Sequence, residues 1–186
     1  MSFDEAKATE AAALFLKLRG GRMHYMKLIK LLYLADRTAL LRWGIPITTD
    51  TYVSMDHGPV VSRIYDLVRR KIEGHEWNTF ISEPLGDAGK EVELIKPEVP
   101  RAHLSRAEEN LIRKVFEKYG RWNRYKLRDF VLHKLPEWHD PEGTSLPISI
   151  SDILRAGGEK DEREIEAIER ELTAARRVED TFRQRA

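Results

Sequence analysis

Cysteine is absent from the 186 residues. That absence excludes disulfides, thiol nucleophiles, thiolate zinc sites and iron–sulfur clusters. Long apolar runs are absent too, and none approaches the roughly 18 residues of a membrane span. Met1 to Glu10 is acidic and lacks the basic-then-apolar pattern of a signal peptide. No sign of charge dominates: 32 Lys and Arg stand against 31 Asp and Glu. There is thus no global pull toward nucleic acid or an anionic membrane. With 11 glycines and 8 prolines, collagen-like and disordered classes drop out. A cytoplasmic protein of one domain, or one domain plus an appendage, is the expectation. What the chain does have is charge of both signs, 34% of all residues. An average soluble protein carries about 25%, so long solvated helices are predicted.

Catalytic and cofactor signatures are missing as well. Gly20-Gly21 and Gly157-Gly158 lack the spacing of a phosphate-binding loop. There is no H-E-x-x-H, and His133 and His139 are too far out of phase to share a helical face. No serine sits in a nucleophile elbow. The expectation is a protein that is not an enzyme, with no catalytic residue, cofactor or metal.

Periodicity predicts a mainly α, α+β fold. A first helix spans about Asp4 to Leu18 and ends at Gly20-Gly21. A second, from His24 to Trp43, is apolar on most sides and is predicted to be central to the core. Thr51 to Ser54 reads as extended, and Pro59 is expected to open a helix lined by Val60, Val61, Ile64, Leu67, Val68 and Ile72. Glu76–Ser82 and Glu91–Ile95 read as a small antiparallel hairpin. Ser105 and Glu108 form a capping box for a helix to Tyr119, with Ala107, Leu111, Ile112, Val115 and Phe116 inward. A further helix runs from Asn123 to His133, with Tyr125, Leu127, Phe130, Val131 and Leu132 on its core side. Pro141, Gly143 and Pro147 mark a loop, and a short helix from Ser151 ends at Gly157-Gly158. The predicted domain covers 1–147, with a C-terminal helical extension over 148–186.

Three features invite functional readings. Asp56-His57-Gly58-Pro59 is either a tight turn or a site in which His57 acts as a base. Between 113 and 128, Arg113, Lys114, Lys118, Arg121, Arg124, Lys126 and Arg128 interleave with Trp122 and Tyr125. This stretch suits a nucleic-acid-binding regulator if its charges share one face, and is otherwise a solvated helical pair. In the Glu- and Arg-rich tail, Ile165, Ile168, Leu172, Ala175 and Phe182 form a thin apolar stripe near heptad spacing. The stripe either folds back on the domain, pairs with a second copy as a homodimer, or docks a partner. On the partner reading, removing the tail weakens the complex and leaves the domain folded.

One ordered series of strings resembles a known family. Met26-Lys27-Leu28-Ile29-Lys30-Leu31-Leu32-Tyr33-Leu34-Ala35-Asp36 is similar to the signature helix of the Panacea domain, the SocA-like antitoxins. Trp43-Gly44-Ile45-Pro46-Ile47, Asp50-Thr51-Tyr52, Gly58-Pro59-Val60-Val61 and Ile64-Tyr65-Asp66 follow in the family's order. Leu104-Ser105 with Glu108, Lys118-Tyr119-Gly120, and His133, Pro136 and Trp138 resemble its second half. Glu137 interrupts the expected Pro-Trp pair. The resemblance covers about residues 10–142 and implies a compact helical, phage-associated antitoxin. Such a protein neutralises a toxin encoded nearby by direct contact, and the founding member also delivers its toxin to the ClpXP protease. It further implies that Lys27, Lys30, Tyr33, Asp36, Tyr52, Gly58, Pro59, Tyr65, His133 and Trp138 are structural or groove-forming.

Overall fold

The computed structural model describes residues 3–86, 89–99 and 102–183, without the side chains of 176–183. Helix α1 (Glu5–Arg19) starts where the Asp4 carboxylate accepts from the Lys7 amide, 3.0 Å. It ends at Gly20, which takes the left-handed conformation at φ 95°. Strand β1 (Arg22–His24) leads into α2 (Tyr25–Trp43). Helix α2 is the buried axis: Leu28, Ile29, Leu31, Leu32, Tyr33 and Leu40 are all fully covered.

A three-stranded antiparallel sheet follows, with β2 (Tyr52–Met55) between β3 (Gly58–Val61) and β5 (Leu146–Ile148). Pro59 therefore lies in a strand and does not open a helix. Pro147 lies in a strand where a loop was expected. Both prolines sit on edge strands, where a missing N–H need not break the ladder. Helix α3 (Ser62–Val68) begins after the strand, with Asp50 capping it from outside: its carboxylate accepts from the Arg63 and Ile64 amides at 2.9 and 3.0 Å.

The predicted 76–82 strand is instead helix α4 (His75–Phe80). Trp77 and Phe80, one helical turn apart, both point inward. Only Ile81 keeps an extended pairing, with Leu94. Strand β4 (Glu91–Glu93) pairs with β1, matching Met23 to Val92 on the core side.

Helix α5 (Arg106–Tyr119) carries the expected capping box between Ser105 and Glu108. Leu111, Ile112 and Val115 are buried, whereas Ala107 is exposed. Helix α6 (Arg124–Phe130) is capped by Asn123 and gives way to a tighter turn over Leu132–Lys134. Leu127 and Leu132 face the core, but Tyr125 and Phe130 do not: they are 53% and 62% exposed. Trp43 also emerges, 42% exposed, at the open end of α2.

Helix α7 (Ile150–Gly157) is capped by Ser149 and stopped by Gly158. Helix α8 (Glu162–Arg183) then lies back on the molecule. Ile165 and Leu172 are 1% and 6% exposed and belong to the same apolar cluster as α2. Ile168 packs against the backbone at Gly44. Of the stripe, Ile165, Ile168 and Leu172 thus pack on this chain itself. The Phe182 side chain lies outside the described residues. Among the described residues no helix is long and apolar enough to cross a membrane.

Candidate functional site

Four polar residues climb α2 at three-residue intervals: Lys27, Lys30, Tyr33 and Asp36. At 3.6 residues per turn each step falls short of a full turn by about 60°, so the row winds about halfway around the helix. Each member therefore meets a different segment of the chain, and all four are buried.

Lys27 donates its ammonium to the Gly120 carbonyl at the end of α5. Lys30 donates to the His57 carbonyl in the β2–β3 turn. Neither is partnered by a carboxylate in these bonds. Burial lowers both pKa values, Lys27 to about 8 and Lys30 to about 7. Gly58 follows His57 with φ 98°, and a Cβ there would stand 3.1 Å from both Leu132 Cβ and Lys30 Nζ. The turn needs glycine for its backbone angle and for its space.

Tyr33 donates its hydroxyl to Glu137 Oε1 at 2.9 Å. Arg37, one turn along α2, donates its Nε to the same oxygen at 2.6 Å and Nη2 to Oε2 at 3.3 Å. Burial and the Glu137 charge hold Tyr33 well above the ordinary tyrosine range, so it acts as a neutral donor. Asp36 Oδ1 accepts from the Thr48 amide at 2.9 Å; Oδ2 accepts from the Thr48 hydroxyl at 2.5 Å and the Tyr52 hydroxyl at 3.1 Å. Burial outweighs these bonds and raises Asp36 to about 7. The Tyr33 and Tyr52 rings meet edge to face, centroids 5.7 Å apart, and join the two clusters.

Of the other residues singled out in the sequence, His133 and Trp138 stack with centroids 4.0 Å apart. The Trp138 indole donates to the Met55 carbonyl at 3.1 Å, which ties this pair to β2. Pro59 is buried beside Gly58 in β3. Tyr65 stands apart from this network: it is half-buried on α3, accepts from Arg69 at 2.8 Å, and lies 6.4 Å from the Tyr25 ring. The residue that sequence reasoning missed is Glu137. Its signal was the break it makes in the Pro-Trp pair.

The basic stretch divides. Arg113 lies beside Glu109 on the α1–α5 side. Arg124 and Arg128 line a separate cleft with His24, Lys30, His57 and Lys90. Among the described residues no group of three or more His, Asp or Glu stands close enough to hold a metal ion. Chemically, the ladder ties loops to a central helix. Lys27, Lys30, Tyr33 and Asp36 all spend hydrogen bonds on the protein itself.

No curated protein and no solved structure matches the chain. Residues 28–139, more than half of it, match the family of SocA-like antitoxins with the Panacea domain. That span contains the ladder from Lys30 onward, the Gly58-Pro59 turn and the Glu137–Trp138 segment that closes over it. The chain belongs to the antitoxin SocA-like, Panacea domain family.

Proposed function

We propose that this protein is a non-catalytic antitoxin that neutralises a toxin encoded nearby by direct protein–protein contact. The observation that carries this reading is the family match over 28–139. The site supports it in kind. Its most unusual side chains are buried and hold the scaffold, which leaves recognition to exposed faces. Delivery of the toxin to the ClpXP protease is the finer part of the same proposal.

Growth rescue tests it. The neighbouring open reading frame is expressed from an inducible promoter, with and without this protein. Toxicity relieved on co-expression, with both proteins co-purifying, is the expected result. Rescue that survives in cells lacking ClpXP assigns neutralisation to occlusion, and rescue lost there assigns it to degradation. A toxic neighbour that this protein neither binds nor relieves overturns the proposal.

A further inference from the structure

The cleft between α2, α3 and α6 has about 300 Å³ of space, the low end of the range for small-molecule sites. Its cations come from segments far apart in sequence: Lys90 precedes β4, while Arg124 and Arg128 lie on α6. Asp56 is the acid on its lining, and its Oδ1 is occupied by the Gly143 amide at 3.0 Å. Asp129 neutralises part of Arg128 through Nε, 2.6 Å, with the two terminal nitrogens unused in that bond. For a chain of net charge +1, this is a local concentration of positive charge.

A neutral histidine borders these cations. His24 Nδ1 accepts from the Met26 amide at 3.2 Å, so a neutral imidazole carries its proton on Nε2. That Nε2 is buried and has no hydrogen-bond partner. Burial, with Arg124 and Lys90 nearby, keeps the ring neutral by lowering it to about 4. Flat surfaces complete the cleft. Tyr25 and Tyr65 are half-buried on its wall, and Tyr125, more than half exposed, carries Arg124 over its ring at 4.4 Å.

We propose that this cleft binds a nucleotide, with Arg124, Arg128 and Lys90 holding the phosphate and the base packing against the exposed Tyr125 ring. Carboxylate side chains of an acidic protein satisfy the cations but add no flat surface beside the exposed Tyr125 ring, which Arg124 and Arg128 approach at 4.4 and 5.5 Å. A phosphate joined to an aromatic base uses both. The inference goes beyond the antitoxin reading and stands or falls without it. The nucleotide is either free or one unit of a single strand, and the test separates these sources.

The test is equilibrium binding to the full chain at low salt. The probes are AMP, ATP, inorganic phosphate, a ten-residue oligo(dT) and a ten-residue oligoglutamate. AMP or ATP is expected to bind at least tenfold more tightly than phosphate. The double variant Arg124→Gln/Arg128→Gln is expected to lose at least tenfold for every phosphate-bearing probe, with an unchanged melting curve. Tyr125→Leu should weaken AMP and leave phosphate unmoved, a split that a merely structural role does not produce. Oligo(dT) more than a hundredfold tighter than AMP, with steep salt dependence, assigns the site to single strands; otherwise the free nucleotide is the ligand. Oligoglutamate binding as tightly as oligo(dT) overturns the proposal in favour of an acidic protein. So does nucleotide binding that the arginine variant leaves intact, or no binding of any phosphate-bearing probe.

Discussion

Tyr33 and Glu137, 104 positions apart, are joined by a buried hydrogen bond of 2.9 Å. The bond fastens the segment after α6 to the central helix, and Arg37 completes it from the next turn of α2. Tyr33→Phe leaves Glu137 paired with Arg37 and should cost about 1 kcal/mol. Glu137→Leu strands both the tyrosine hydroxyl and the arginine. Arg37 keeps 17% exposure and recovers some hydration, so the expected cost is about 2–4 kcal/mol. Urea unfolding of both variants and the double variant closes the cycle. A coupling of roughly 0.5 kcal/mol or more is expected, and strict additivity would show that the bond contributes nothing.

This bond marks the boundary of what the sequence discloses. Signals confined to one turn of chain were legible: Ser105 and Glu108 as a capping box, Gly20 as a stop, the apolar sweep of Leu28 to Leu40. Their partners lie within a few residues, so spacing alone identifies them. Arg22–His24 was not legible as a strand, because three residues carry little pattern and its partner begins at Glu91. Trp77 and Phe80 were read with period two although their spacing of three is helical. Tyr125 and Phe130 show a different error: aromatic residues assigned to the core side of α6 that face outward. The family series located the ladder, Gly58 and Trp138, but not what they hold. Glu137 looked like an interruption because its two partners sit a hundred positions earlier.

Asp36 and Lys30 give opposite limbs to the pH dependence of stability. Asp36 is raised by burial from 3.8 to about 7. Between those values the folded chain keeps a proton that the unfolded chain has lost, so this group's contribution falls as pH rises from about 4 to 7. Lys30 is lowered by burial from 10.5 to about 7. The unfolded chain binds the extra proton between those values, so this contribution rises from about pH 7 to 10. Urea midpoints at pH 5, 7 and 9 check both limbs. Asp36→Asn should gain relative to wild type between pH 5 and 7, and Lys30→Met should gain relative to wild type between pH 9 and 7. Difference curves that stay flat with pH would reject both assignments.

Gly58 and Gly143 make a matched pair for the turn. Both have positive φ, 98° and 82°, but a Cβ at Gly143 meets nothing within 4 Å. Gly143→Ala carries the backbone cost alone, about 1–2 kcal/mol. Gly58→Ala carries that cost and also crowds Leu132 and Lys30 Nζ. It should therefore be the more damaging by at least about 1 kcal/mol in chemical denaturation. Equal losses would mean that the contact at Leu132 and Lys30 relaxes freely.

Helix α8 offers the last test, because Ile165, Ile168 and Leu172 of its stripe already pack within the chain. Ile165 is 1% exposed and Leu172 is 6% exposed. Replacing either by alanine leaves a cavity against the α2 cluster and should cost about 2–4 kcal/mol. Because the covering surface is in the same molecule, the thermal midpoint of the parent should not move with protein concentration. Ending the chain at Gly158 exposes the apolar surface around Gly44 and the face of α7 that packs on α8, so the truncated protein should melt earlier and with a broader transition. If truncation leaves the melt unchanged, Ile165 and Leu172 contribute nothing to the fold, and the stripe is then free for a partner. If the midpoint instead rises with concentration, the stripe is pairing between copies, and the variants should weaken association before they weaken folding.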